Sequence, residues 1–311
     1  MKKHFFVDAI RFAVLVFIFV LSGQNVLAAQ GLTKIADNVY SYVDTKKMSP
    51  QNSFGANAGI VIGRDGILVI DTLISAKEAK RFIKDIRAVS DKPIRYVVNT
   101  HYHLDHTFGN AEFEKLGAII ISHTVDKVSL QKKGEGTLKN AGMFGLTEQD
   151  MEGTKIAVPT VTFNGTMEID LGDRKVELLY KRASHTEGSI LVYLPDGKVL
   201  FTGDILFTGY HPYMADGDIR NWMETLDDIL KMDIDTIIPG HGPISGKKDI
   251  ADMKEYLIAF DKKATELCAK STDVDYIASE LRKLLPPRAE GDMLIKANIQ
   301  GRYLKKSPAA Y

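Results

Sequence analysis

The sequence predicts an α/β protein, a four-layer αββα sandwich in which two β-sheets pack face to face between outer helices. Short apolar strands separated by tight turns occur in two halves of the chain, and amphipathic helices accompany each half. A sheet with one apolar face must bury it, so this order favours two packed sheets with helices outside. The chain of 311 residues, 45% hydrophobic and 26% charged, is long enough for a large core.

The first half contains five predicted strands and two predicted helices. Apolar runs predict strands at residues 39–43, 58–62, 67–71, 94–99 and 118–122. The Asp65-Gly66 turn between the second and third strands indicates a hairpin. Helical spacing predicts a helix over residues 75–89 with Ser75 as its N-cap, and a short helix over residues 110–116.

The second half adds further strands and ends in helices. The predicted strands are residues 160–163, 166–170, 176–180, 189–193, 198–201 and 236–238, and the predicted helices are residues 219–230, 249–270, 274–285 and 295–303. Residues 126–159 are less regular, because several glycines interrupt a polar segment. This segment suits either a lid over a pocket or ordinary packing.

The first 28 residues predict a signal peptide. Lys2, Lys3 and Arg11 precede a short apolar run that ends at a small-residue cleavage site after Ala28. The run is shorter than the roughly 18–20 residues that span a bilayer. We therefore expect export to the periplasm or the medium, without a stable membrane anchor after cleavage.

Charge and cysteine content exclude several classes of protein. Removing residues 1–28 takes away three basic residues and one acidic residue, which leaves 37 basic and 39 acidic residues. This balance does not predict binding to nucleic acid, and a small-molecule substrate is the expected partner. Cys268 is the only cysteine, so no internal disulfide is expected, and a buried thiol is favoured over a nucleophile. The sequence does not predict an oligomeric state.

The stretch that carries the chemistry follows the strand at residues 94–99. His101, His103, Asp105 and His106 lie within six residues there. Neutral imidazole and carboxylate are usual ligands of zinc, and a catalytic zinc keeps one position open. His101 and His103 point the same way in an extended segment and can hold one ion. Asp105 and His106 follow after a turn and are placed to serve a second ion.

This H-x-H-x-D-H signature, beginning at His101, resembles that of the metallo-β-lactamase superfamily. His185, Asp204 and His241 follow in the family's order, and the resemblance covers the chain after residue 31. Several linked motifs are more specific than one. The resemblance implies the metallo-β-lactamase fold, with residues 29–248 as the catalytic domain and residues 249–311 as a helical segment packed on it.

The resemblance also implies two Zn²⁺ ions per chain and a role for each ligand. The first ion would be held by His101, His103 and His185, the second by Asp105, His106 and His241, and Asp204 would bridge them. Two such ions share a water whose pKa falls toward neutrality, so a bridging hydroxide would be the nucleophile. Asp105 is the predicted catalytic residue, because it would orient this hydroxide as well as bind metal.

The bridging position narrows the choice of activity. Well-known metallo-β-lactamases carry cysteine there or lack a bridging ligand, whereas Asp204 resembles the arrangement in glyoxalase II thioesterases, lactonases and phosphodiesterases. The expected reaction is β-lactamase-like cleavage of an amide or lactam, an ester, a lactone or a thioester. A glyoxalase II-type thioesterase or an iron-dependent oxidoreductase of the persulfide dioxygenase type is the alternative. A flavodiiron protein is disfavoured because position 103 is histidine.

Five further residues have predicted roles near the centre. Tyr102, Asn110, Tyr210 and His211 are candidates for substrate contact, because loops that follow ligand strands face the cleft. Asp71 ends a strand, and it would either support a metal ligand, as the resemblance implies, or cap the helix that follows. The sequence leaves both roles of Asp71 open.

Overall fold

The computed structural model describes residues 31–43 and 48–304, which form two β-sheets with helices on both outer faces. The first sheet has seven strands in the order β1-β2-β3-β4-β5-β6-β7, and the second has five in the order β12-β11-β10-β9-β8. The strands are β1 (Thr33–Ala36), β2 (Val39–Ser41), β3 (Gly59–Ile62), β4 (Ile67–Ile70), β5 (Ile94–Val98), β6 (Ile119–His123), β7 (Val161–Phe163), β8 (Thr166–Asp170), β9 (Lys175–Leu179), β10 (Leu191–Leu194), β11 (Val199–Phe207) and β12 (Thr236–His241).

Eight α-helices lie within the described ranges. They are α1 (Ala76–Val89), α2 (Leu104–Thr107), α3 (Asn110–Glu114), α4 (Thr124–Lys139), α5 (Ile219–Lys231), α6 (Lys247–Cys268), α7 (Val274–Leu284) and α8 (Met293–Asn298). Short 3-10 segments occur at Pro50–Gly55 and Ala141–Phe144, and one π-helical turn follows α8 at Ile299–Tyr303.

The packing confirms the predicted αββα sandwich. Buried side chains from both sheets, such as Val61, Val98, Val192 and Ile238, form one cluster between the sheets. A second hydrophobic core joins the outer face of the first sheet to α1 and α3. A third hydrophobic core joins the outer face of the second sheet to α5, α6 and α7. The molecule therefore has four layers, with one apolar core at each junction.

Local signals explain why several elements begin where they do. Ser75 caps α1 as predicted, since its hydroxyl accepts a hydrogen bond from the backbone N–H of Glu78 at 3.3 Å. The hairpin at Asp65-Gly66 joins β3 and β4, which pair antiparallel. Strands β4 to β7 run parallel, as do β11 and β12, so their carboxyl ends meet at common edges of the sheets.

The prediction for residues 126–159 was wrong in its first part. Residues there form the sixteen-residue helix α4. The glycines do not prevent the helix, and one of them, Gly134, is required by the packing of the helix. A Cβ added at Gly134 would lie 3.0 Å from the Ile156 side chain, so the small residue lets the following chain pack closely. The side chain of His123 caps this helix by accepting a hydrogen bond from the Val125 N–H.

Strand β11 also differs from its predicted length. It extends through Asp204 to Phe207, whereas the apolar run predicted an end at residue 201. Gly203 has φ +48°, and the register with β12 shifts on both sides of it. Asp204 thus lies inside a bulged, fully buried strand, and the backbone of this strand fixes its position.

The C-terminal helices pack on the second sheet. Tyr256, Leu257 and Phe260 of α6 are buried in the same cluster as Trp222 of α5. The division at residue 248 stays a prediction, as does the signal peptide, because residues 1–28 lie outside the described part of the chain. No helix among the described residues is long and apolar enough to cross a membrane.

Candidate metal centre

All seven predicted ligands meet at the edge of the sandwich where the sheets' carboxyl ends converge. The structure forms two groups whose ligand atoms lie within 4.8 Å of one another. The first cluster is His101, His103, His185 and Asp204, and the second cluster is Asp105, His106 and His241. His101 and His103 follow β5, Asp105 and His106 lie on or next to the first turn of α2, and His241 ends β12.

Asp204 stands between the two clusters. Its Oδ2 lies 3.3 Å from Nε2 of His185 and 3.7 Å from Nε2 of His101. Its Oδ1 lies 3.1 Å from Nε2 of His106 and 3.4 Å from Nε2 of His241. One oxygen therefore faces each cluster, which is the arrangement required of a bridging carboxylate.

The close approach of two strands makes this position possible. A Cβ added at Gly240 would lie 2.0 Å from Oδ1 of Asp204, so any side chain there would displace the carboxylate. The glycine before His241 is thus required by packing, and its role is to let β12 lie against β11.

Each histidine has its other ring nitrogen held by the protein. Two histidines face carboxylates: Nε2 of His103 lies 3.1 Å from Oδ2 of Asp216, and Nδ1 of His106 lies 2.8 Å from Oδ2 of Asp71. Two face backbone carbonyls: Nδ1 of His185 lies 3.0 Å from that of Tyr213, and Nδ1 of His241 lies 3.1 Å from that of Phe54. Nδ1 of His101 lies 3.1 Å from the Thr100 hydroxyl. Each partner accepts an N–H and directs the opposite nitrogen to the centre.

Asp71 supports His106, one of the candidate ligands, and does not cap the helix. Besides His106, it accepts hydrogen bonds from the backbone N–H and hydroxyl of Thr100 at 2.8 and 2.7 Å. Its φ of +58° is rare for a residue other than glycine. The neighbouring helix takes Ser75 as its cap, which settles the alternative that the sequence left open.

The two clusters differ in the protonation of their histidines. Burial lowers the pKa of His185 to about 3 and that of His101 well below its usual value. Burial also acts on His241, but Asp204 and Asp105 outweigh it and raise the pKa to about 9. The same carboxylates, with Asp71, raise the pKa of His106. Metal binding at the second cluster must therefore displace protons.

The unpaired atoms of the centre fit a pair of metal ions. Nε2 of His101, Nε2 of His106 and Oδ1 of Asp204 are buried without a hydrogen-bond partner in the described part of the chain. A buried polar atom without a partner costs roughly 1–3 kcal/mol. Imidazole nitrogens and carboxylate oxygens are donors that zinc accepts, so bound ions would satisfy all three atoms.

Of the four predicted substrate residues, two lie beside the centre. The Tyr102 ring is 4.6 Å from the His103 ring, and its hydroxyl donates to Asp216 and accepts from Lys133. The Tyr210 ring is 5.6 Å from the His241 ring. Both side chains are buried, so they form walls of the centre.

The structure places Asn110 and His211 away from it. Asn110 is fully buried, and its amide bonds to the Asn99 side chain, Thr72 and the Ala157 carbonyl. Substrate contact would require these bonds to break, so its position corrects the prediction. His211 is also buried, and its Nδ1 bonds to the Tyr256 hydroxyl beneath the C-terminal helices.

Sequence reasoning missed the supporting groups. Asp216 lies in a turn with no pattern that marks it, and the Phe54 carbonyl belongs to the backbone and has no side-chain signal. Tyr213 lies close to the predicted residues Tyr210 and His211, but it is its backbone carbonyl that contacts His185. These partners are separated from their histidines by 28 to 187 residues.

The fold and this site define an αββα protein with a candidate two-metal centre of histidine and aspartate. The chain belongs to the metallo-β-lactamase superfamily, whose model matches residues 52–241. The predicted family and fold are thereby confirmed.

Individual relatives are hydrolases of this superfamily. The chain is 27% identical over 222 residues to a linear primary-alkylsulfatase from a Pseudomonas species, covering 61% of this chain and 42% of the relative. It is 23% identical over 229 residues to a type 2 metallo-β-lactamase from Bacteroides fragilis, covering 72% and 84%. A solved metallo-β-lactamase from Pontibacter korlensis is similar with a TM-score of 0.61 and 19% identity, covering 73% and 98%. The chain spans less than half the length of the alkylsulfatase.

Proposed function

We propose that this chain is an exported hydrolase that uses two zinc ions to cleave an amide or lactam, an ester, a lactone or a thioester of a small molecule. The observation that carries the proposal is the convergence of seven ligand side chains on Asp204, with buried ligand atoms that lack protein partners. Catalytic superfamily relatives support the reaction class.

Each side chain has a defined task in this proposal. His101, His103 and His185 would hold one ion, Asp105, His106 and His241 the other, and Asp204 both. When bound, the two ions supply Lewis acidity and lower the pKa of water. The hydrogen bond to the other ring nitrogen orients each of the five imidazoles toward the centre, so the chain pre-arranges the ligand positions before substrate arrives.

Asp105 is the residue placed to accept a proton from the attacking water. Its Oδ2 faces His241 at 3.4 Å and His106 at 3.6 Å, whereas Oδ1 makes no hydrogen bond to a described residue. The free oxygen can orient an attacking water and accept its proton. Burial opposes the charge on Asp105, but His106 and His241 lower its pKa, so the carboxylate is ionised and able to act as a base.

The experiment is a substrate panel with the mature, zinc-loaded protein. It would include a chromogenic β-lactam, an aryl ester, a lactone and a thioester. We expect turnover of at least one compound, with a loss of at least about 10³-fold in Asp105→Ala. Asp227→Ala, which removes an α5 carboxylate paired with Lys254, is the matched control and should retain activity. Equal rates in wild type and Asp105→Ala would overturn the proposal.

Sulfate-ester hydrolysis is a second candidate. The similarity to the linear primary-alkylsulfatase favours it. A linear alkyl sulfate therefore belongs in the panel, and sulfate release that depends on Asp105 would select this reaction. An oxidoreductase is distinguished by metal analysis, because one iron per chain would contradict a zinc hydrolase.

Export is proposed from the first 28 residues. Expression of the full chain in a bacterium should yield a periplasmic product that begins near residue 29, detected by fractionation and N-terminal mass analysis. A product that keeps its N-terminus in the cytoplasmic fraction would contradict export.

A further inference from the structure

The stretch that carries His241, residues 239–242, is held only in part by its own sheet. Its first three residues end β12, which pairs with β11. The register between these strands shifts on both sides of the pair formed by Gly203 and Pro239. A shifted register disrupts the ladder of hydrogen bonds locally, and a proline has no N–H to donate. Other groups must therefore help to fix the backbone around His241.

Asn57 supplies such contacts from the other sheet. It lies just before β3, and its backbone N–H donates to the Gly240 carbonyl at 2.7 Å. Its side-chain amide donates to the carbonyl of Pro239 at 2.8 Å and to that of Gly242 at 2.9 Å. These carbonyls lie on both sides of His241 in the chain, so one residue holds the backbone that carries this ligand.

The side chain of Asn57 is buried and uses only its donors. The residue is 5% exposed, and its Oδ1 has no hydrogen-bond partner in the part of the chain that the structure describes. A buried acceptor without a partner is unfavourable, and an apolar side chain of similar volume would avoid that cost. The two donors toward Pro239 and Gly242 are therefore the feature that an amide adds at this position.

Two groups of one segment hold different parts of His241. The Phe54 carbonyl lies 3.1 Å from Nδ1 and orients the ring, whereas Asn57 fixes the backbone from which the ring extends. The other ligands of the second cluster, Asp105 and His106, belong to the first half of the chain. Their distance from His241 thus depends on contacts that join the two halves at this edge.

The ligands of the first cluster are held by other groups. His185 has its Nδ1 at 3.0 Å from the Tyr213 carbonyl, and Asp204 lies within β11. Among the described residues, no ligand of this cluster hydrogen-bonds to Asn57. Loss of the Asn57 amide should therefore act on one ion more than on the other.

We propose that Asn57 is a positioning residue that sets the affinity of the second cluster for its metal ion, by holding the backbone around His241. The inference deepens the proposed function and rests on its centre of two ions. It assigns to an amide outside the ligand set the selective control of one of the two sites.

The test is a titration of the metal-free protein with Co²⁺ in competition with a chelator, followed by absorption. His103→Ala and His241→Ala identify the absorption change that belongs to each cluster. Asn57→Leu keeps a side chain of similar volume and removes the donors. We expect it to weaken the ion of the second cluster by about 10–100-fold and to leave the ion of the first cluster within about threefold.

Asn298→Leu is the matched control. Asn298 is also buried, and its side chain bonds to the Pro212 carbonyl at 2.8 Å and to the Met214 N–H at 2.6 Å. It makes no hydrogen bond to residues 239–242 in the described ranges, so its loss should leave the affinity of the second cluster within about threefold of wild type. Asn57→Ser, whose side chain is too short to reach both carbonyls, carries the test if the leucine variant does not fold.

The outcomes decide the two proposals separately. An unchanged affinity of the second cluster in the Asn57 variant, equal weakening of both ions, or the same loss in Asn298→Leu would each overturn the role of Asn57. If wild type binds two ions but cleaves no compound of the substrate panel, the hydrolase proposal fails, while the affinities still decide the role of Asn57. Binding of fewer than two ions by wild type would overturn both.

Discussion

The first and second clusters share Asp204 but differ in access and charge. The second cluster is buried throughout, and its histidines face carboxylates that raise their pKa values. In the first cluster, burial lowers the pKa values of His101 and His185, and the cluster is exposed to solvent at His103. The difference is one of environment: carboxylates balance the charge of the buried imidazoles in the second cluster, whereas solvent reaches the first cluster at His103.

Removing the shared residue should give the largest effect. Asp204→Ala takes one oxygen from each cluster and leaves His101, His106, His185 and His241 facing each other, so both ions should bind more weakly. We expect turnover to fall at least about 10³-fold. Metal content by mass spectrometry would accompany the rate, and a variant that keeps both ions and full activity would show that Asp204 does not join the clusters.

Changing the supporting carboxylates should separate the clusters. Asp71 contacts His106 directly and His101 through Thr100, whereas among the candidate ligands Asp216 contacts His103 alone. Asp71→Asn should therefore weaken both ions, and Asp216→Asn only the ion of the first cluster, each by about 10–100-fold. Chelator competition with Co²⁺ measures both steps, and identical profiles for the two variants would contradict the distinction.

A buried carboxyl behind the first cluster should make stability fall with rising pH. Asp126 is fully buried, and burial raises its pKa to about 8, above an unfolded value of 3.8. The folded state holds the extra proton in this window, so stability falls from about pH 4 to pH 8. Asp126→Asn should remove that slope, worth on the order of 2–4 kcal/mol. Urea unfolding at several pH values checks this, and parallel wild-type and variant curves would contradict it.

An imidazole behind the second cluster should act with the opposite sign. Burial lowers the pKa of His211 to about 4, below an unfolded value of 6.5. The unfolded state binds the proton first, so stability is fully present above pH 6.5 and falls as the pH drops to 4. His211→Gln should reduce this loss by on the order of 1 kcal/mol. The same unfolding series measures it, and an unchanged acid slope would show that His211 is not responsible.

Prediction from the sequence succeeded where local patterns carry the information. The Ser75 cap, the Asp65-Gly66 hairpin and the strand that precedes His101 all follow from neighbouring residues. It failed for α4, where glycine content predicted irregular chain but the residues form a helix whose Gly134 packs against Ile156. It also failed for Asn110, whose amide lies in a buried network that no local pattern reveals.

The sequence by itself predicted the candidate ligand set: residue type and spacing indicate His101, His103, Asp105 and His106, and the resemblance to the superfamily adds His185, Asp204 and His241. Only the tertiary structure decided how they are held and approached. The Phe54 carbonyl reaches His241 across 187 residues, and Asp216 reaches His103 across 113. Such hydrogen bonds depend on where the backbone returns in space, and the hydrogen bond from Lys133 to Tyr102 depends on the packing of α4 against α2.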